Sequence, residues 1–147
     1  MKKILFALAL SLAAAGCAEG LGPEDLAPRL TFTAAAQQGQ APAQPQITVA
    51  AIPGGFQVDG VLATPDVCRV LAGEFMRYAP ADAPILMLTV RVAPTSTGCT
   101  TAVGRFAYSA RVERVPPGRY PVEVYHEFQA TGNPNPFVVF SGEIQIP

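Results

Sequence analysis

Beyond Gln46, apolar and polar positions alternate with a period of two in one run after another, the pattern of half-buried strands. Ile47 to Ile52 forms a first strand, closed by Pro53-Gly54-Gly55. Phe56, Val58, Gly60 and Leu62 alternate with Gln57, Asp59 and Val61 in a second, which stops at Thr64-Pro65. Ile85 to Ala93 is almost continuously apolar and ends at Pro94. Val103 to Val115 places Phe106, Tyr108, Ala110 and Val112 on one side. Pro116-Pro117-Gly118 then turns the chain into Arg119–Gln129, and residues 131–136 turn it into Phe137–Ile146.

Pro65 to Tyr78 fits two patterns. Thr64-Pro65-Asp66 has the form of a helix start, and Val67, Val70, Leu71, Phe75 and Tyr78 recur at helical spacing. Gly73 costs such a helix about 1 kcal/mol, and the surrounding chain reads as strand. The alternative is a strand over Val70–Tyr78, returning through Pro80–Pro84 to pair with Ile85–Ala93. With that preferred strand the class is all-β, a seven-stranded sandwich in about 100 residues, the size of an immunoglobulin-like domain.

The run Val115-Pro116-Pro117-Gly118-Arg119-Tyr120-Pro121-Val122-Glu123-Val124 resembles the turn into the penultimate strand of fibronectin type III and immunoglobulin-like domains. Its spacing is one residue tighter than the commonest fibronectin form, and transthyretin-like carrier domains use a similar turn. The resemblance implies an architecture for the last third of the chain, not an activity. It implies that Tyr120 is a structural corner tyrosine, its ring inward and its hydroxyl bonded to backbone upstream.

Ahead of the strands the pattern differs. Lys2 and Lys3 precede an apolar run from Ile4 to Ala15, broken only by Ser11, and small residues follow. That is the form of a secretory signal, and it is shorter than the roughly 20 residues a spanning helix needs. Ala14-Ala15-Gly16-Cys17 resembles the processing box of bacterial lipoproteins, although Ala14 stands where leucine is usual. The resemblance implies cleavage before Cys17 and a diacylglycerol on its thiol. With Ala18 rather than aspartate next, it implies sorting to the outer membrane. The plain alternative is cleavage after Ala15 or Ala18, with Cys17 an incidental thiol.

From Ala18 to Gln46 periodicity is weak. Leu30–Thr33 has the form of a short edge strand, and Gln37–Gln46 is a low-complexity Gln/Pro/Ala linker. The expected organisation is therefore a signal peptide over 1–16, a flexible tether over 17–46 and a β-sandwich over 47–147.

Composition narrows the classes. The chain has 147 residues, half of them apolar and 14% charged, with 15 prolines and 13 glycines. One domain fits that length, wholesale disorder does not fit that hydropathy, and a helical bundle does not fit that many turn formers. Removal of residues 1–16 takes both lysines, leaving eight arginines against 11 acids. A mildly acidic chain with scattered arginines carries no footprint for nucleic acid. By the same net charge, anionic membrane surfaces are poor partners, so membrane attachment would come from the lipid on Cys17.

Three cysteines are odd in number for an exported protein. Lipid on Cys17 leaves Cys68 and Cys99 as a pair in an oxidising compartment, where a crosslink over such a loop contributes about 3–4 kcal/mol. The alternative is a reactive thiol at either position. There is no CxxC motif, and zinc asks for about four ligands where the chain has one histidine. No metal or cofactor is expected.

His126 is that histidine. It shares a strand face with Tyr120, Val122, Val124 and Phe128, so it is expected in the core or at its rim. A Cys–His pair with Cys68 or Cys99 would need an unpaired thiol, and Ser96, Ser109 and Ser141 sit in no Gly-x-Ser-x-Gly context. Asp59, Glu74, Glu113, Glu123, Glu127 and Glu143 supply carboxylates for glycoside hydrolysis in principle, but they read more simply as the wet face of a sheet. The expectation is a non-catalytic binding or structural module of the cell envelope, with a protein partner there. A protease inhibitor acting through the polar loops at 95–101 and 132–136 is the alternative, and a small hydrolase using His126 a third.

Overall fold

The computed structural model describes residues 27–79, 84–95, 99, 102–129 and 135–147. These form eight strands: β1 (Arg29–Ala36), β2 (Gln46–Ile52), β3 (Gly55–Thr64), β4 (Arg69–Tyr78), β5 (Ile85–Pro94), β6 (Gly104–Glu113), β7 (Gly118–Phe128) and β8 (Asn135–Ile146). They make two four-stranded sheets, β1-β6-β3-β2 and β4-β5-β7-β8. The sheets lie face to face, β1 against β4 and β2 against β8 at the two edges.

Alternation along each strand fills the space between them. Phe56, Val58 and Leu62 of β3, Val122 and Val124 of β7, and Leu86, Leu88, Val90 and Val92 of β5 belong to one buried cluster. Each such side chain contributes about 1.5–3 kcal/mol on leaving water. The run Pro65–Tyr78, open between helix and strand in the sequence, is strand β4, paired with β5 from Arg69–Pro94 to Tyr78–Ile85. Gly73 fits this strand locally, because a Cβ there would overlap the ring of Phe32 on β1. The helix-start residues serve a turn: Thr64 Oγ1 donates to Asp66 O at 2.5 Å, and Asp66 Oδ1 accepts from Cys68 N at 3.0 Å.

Two expectations need correction. The sandwich has eight strands, not seven, and it begins within the segment expected to be a tether. Residues 29–36 are strand β1, paired with β6 along its whole length. Leu30 and Phe32 pack against the core, and Phe32 stacks on Tyr108 with centroids 5.9 Å apart. The Gln/Pro/Ala stretch that follows carries the chain from one edge of this sheet to the other. Arg105 holds it, donating from Nε to Gln37 Oε1 and from an Nη to Gln40 O, both at 3.0 Å. The signal segment and Cys17 lie outside the described residues.

Pairing is antiparallel everywhere except between β5 and β7, which run parallel at the centre of their sheet. The immunoglobulin layout is antiparallel in both sheets, so this central pair is a departure from it.

Gly60 marks one tight contact. A Cβ there would overlap the Tyr108 ring. Gly60→Ala is therefore expected to cost about 1–3 kcal/mol, as overpacking does. It should lower the urea midpoint with the slope unchanged.

Candidate functional site

Cys68 and Cys99 are disulfide-bonded, with Cα atoms 6.0 Å apart across a separation of 31 residues. Cys68 stands just before β4 and Cys99 in the β5–β6 connection. The bond therefore closes the open end of the β4–β5 hairpin, where Thr95 N also donates to Cys68 O at 3.0 Å. Asp66 sits against it. The Arg69 guanidinium, helped by the Cys68 amide, holds the Asp66 carboxyl below the usual carboxylate range. Asp66, Cys68 and Cys99 cluster closely enough to suggest a metal site. Because the two sulfurs are bonded to each other, only one carboxylate is left to ligate.

His126 is fully buried. Its Nε2 lies 3.0 Å from the Tyr108 hydroxyl of β6, across the core. The Tyr108 and Phe137 rings meet it edge-on, and Phe137 stacks on Phe128. Burial lowers the imidazole to a pKa of about 4. Burial, aided by the charge of Asp59, raises the Tyr108 hydroxyl. The two are a neutral pair inside the fold, and Nδ1 of His126 has no partner among the described residues.

Tyr120 is buried, and its hydroxyl donates to Pro116 O at 3.0 Å, four residues upstream. Gly118 beside it has φ 157° and a ring atom of Tyr120 at 3.1 Å from where a Cβ would stand. The side chain packs back over the turn that starts β7.

Each of the six strand carboxylates has a donor. Gln57 holds Asp59, Tyr125 holds Glu123, and Arg111 holds Glu113. Arg91 spans three strands to reach Glu74 at 2.5 Å and Glu127 at 3.4 Å, and Arg119 pairs with Glu143. Interleaved with cations in this way, they are spread over the two outer faces and do not converge as a pair of acids.

Among the described residues, a feature with room for a ligand is one that the sequence pattern does not reveal. An open cleft of about 520 Å³ lies on the outer face of the β1-β6-β3-β2 sheet. Its floor is a register row, Thr33–Ser109–Asp59–Thr48, beside a second row, Ala35–Ala107–Val61–Gln46. Small side chains on four neighbouring strands leave the hollow. The signal in the sequence is the run of Thr, Ala and Ser at outward positions, but it forms a cleft only once all four strands are paired. His126 does not line the cleft. Of the two loops expected to bind, residues 96–98, 100–101 and 130–134 lie outside the described residues. Their flanks share one end of the sandwich: β5 ends opposite the start of β4, and Gln129 N donates to Val92 O at 2.9 Å.

No protein-family model, curated protein or solved structure matches this chain.

Proposed function

We propose that this chain is an exported cell-envelope protein held to the outer membrane by lipid on Cys17, its sandwich a non-catalytic binding or structural module. The observation that carries the reading is the Cys68–Cys99 bond. It is the bond an oxidising compartment favours, and it leaves Cys17 as the unpaired cysteine of three. The burial of His126 against Tyr108 supports the non-catalytic half, since the sole imidazole is then withheld from any substrate.

We read the sandwich as a rearranged immunoglobulin-like layout. β2, β3 and β6 keep the neighbour order of its A, B and E strands, and β7–β8 keeps the final hairpin with its corner tyrosine. The β4–β5 hairpin is turned over, so that β5 instead of β4 adjoins β7.

Intact mass of the protein extracted from a Gram-negative membrane tests the anchor. Loss of residues 1–16 with diacylglyceryl mass on Cys17 is expected. A chain cleaved elsewhere, or with an unmodified Cys17, overturns it.

A further inference from the structure

Three ligand atoms converge where the β4–β5 hairpin is closed. The Asp66 carboxylate and the sulfurs of Cys68 and Cys99 all lie within 4.8 Å of one another, each residue half-buried. While the sulfurs are bonded to each other they hold no cation. That bond is placed for exchange, because both cysteines lie outside the core and Val67 and Val70, which flank Cys68, are 47% and 50% exposed. Exchange with a dithiol balances on its own. The S–S bond breaks, each sulfur takes a proton from the dithiol, and the dithiol leaves as a disulfide.

Contacts other than the bond hold the same groups in place. The Cys68 N–H donates to Asp66 Oδ1 and the Cys68 carbonyl accepts from Thr95 N, both at 3.0 Å. Thr64 Oγ1 donates to Asp66 O, and the β4–β5 ladder begins at once with Arg69 opposite Pro94. Arg69 donates to the Asp66 carboxylate from Nε and Nη2. With the Cys68 amide, that makes three N–H groups on a carboxylate that accepts about four bonds, so room for one more partner is left.

The chemistry of the set selects a cation. Thiolates favour soft or borderline divalent metals. Tetrahedral zinc with two Zn–S bonds sets its sulfurs about 3.8 Å apart, a separation that rotation about the two Cα–Cβ bonds reaches from Cα atoms 6.0 Å apart. Two thiolates and Asp66 bring three negative charges, and a divalent ion with the Arg69 guanidinium brings three positive ones. Arg69 then orients a ligand from behind, as outer partners of metal sites do.

We propose that Cys68, Cys99 and Asp66 form a zinc site when the disulfide is reduced, with water as the fourth ligand. The same two sulfurs then close the hairpin by a bond in one redox state and through a metal in the other. Zinc displaces the two thiol protons on binding. The site is independent of the lipid anchor.

The processed chain carrying Cys17→Ser keeps Cys68 and Cys99 as its only cysteines. It is reduced with dithiothreitol, desalted without air and titrated with cobalt(II), then with zinc. One cobalt per chain is expected, with thiolate-to-cobalt absorption and the visible bands of a tetrahedral ion, both bleached by zinc. Zinc should raise the urea midpoint of the reduced chain toward that of the oxidised one and leave the oxidised midpoint unchanged. Asp66→Asn keeps an acceptor for the Cys68 amide and is expected to weaken zinc at least about tenfold, while Glu113→Gln leaves it as it was. Absence of the cobalt bands, equal binding by Cys68→Ser or by the oxidised chain, or an affinity unchanged in Asp66→Asn overturns the site. An unmodified Cys17 in the protein from cells overturns the anchor reading alone, so the two failures are told apart.

Discussion

Cys68→Ser is expected to lower the unfolding free energy by about 3–4 kcal/mol, the loop entropy that a crosslink over 31 residues withholds from the unfolded chain. Few single changes outside a core reach that size, and it is a large part of the 5–15 kcal/mol typical of a domain. Position strengthens the expectation. The bond joins the residue before β4 to the connection after β5, closing a hairpin already zipped over ten pairs. In the reduced chain, that end is closed among the described residues by backbone contacts such as Thr95 N to Cys68 O, without the covalent link. Urea unfolding of oxidised protein, reduced protein, Cys68→Ser and Cys99→Ser checks it. The last three should share one lowered midpoint, and Cys17→Ser should match the oxidised parent. Thiol counting on the unfolded, unreduced protein should find Cys68 and Cys99 unreactive. Equal midpoints with and without reductant, or two titratable thiols, would contradict the bond's role.

The strands from β5 to β8 were legible because each buries one face, so alternation of Phe106, Tyr108, Ala110 and Val112, or of Val122 and Val124, repeats the geometry of the pleat. Strand β1 was legible only at Leu30–Thr33. Its second half is three alanines near an open end of the sandwich, where no side chain is buried enough to leave a pattern. What makes those residues strand is the edge of β6, which is remote in sequence. The same holds for the parallel β5–β7 pair and for the cleft. Neighbour order is a property of the sheets, and no local run of residues encodes it. Strand β4 lies between these cases. Its inward set is Leu71, Gly73 and Phe75, and the glycine that weakens both patterns is there to admit Phe32 from the other sheet.

His126 was expected on the inner face from its neighbours two residues away, but its partner was not. Tyr108 is 18 residues earlier, on the opposite sheet. Pairing inside the core also sets the protonation state of both residues. A hydroxyl held up by burial and an imidazole held down by it are both kept neutral, with no charge poised for transfer.

That neutrality makes the fold acid-labile through one residue. Between pH 7 and pH 4 the sandwich is expected to lose about 3 kcal/mol of stability on account of His126. The unfolded imidazole takes up a proton near its ordinary pKa of 6.5, whereas burial holds the folded one near 4. Over that interval the unfolded chain binds more protons, so stability is complete above pH 6.5 and falls as pH drops. Its neighbours offer no relief. Tyr108 from β6 is neutral, and Phe137 from β8 brings only a ring edge. Asp66, whose carboxyl is lowered from 3.8, loses its contribution only below that value, so its effect falls at more acid pH. Variants separate the buried charge from general acid damage. His126→Gln should flatten the slope between pH 4 and 6.5 and still cost stability at pH 7, because a flexible amide replaces a packed ring. His126→Phe with Tyr108→Phe removes both polar partners at nearly constant volume. It should be close to neutral at pH 7, in contrast to His126→Phe alone, which strands the Tyr108 hydroxyl at about 1–3 kcal/mol. Urea midpoints across this pH range check the set, and a slope that persists in the double variant would assign the acid sensitivity to other groups.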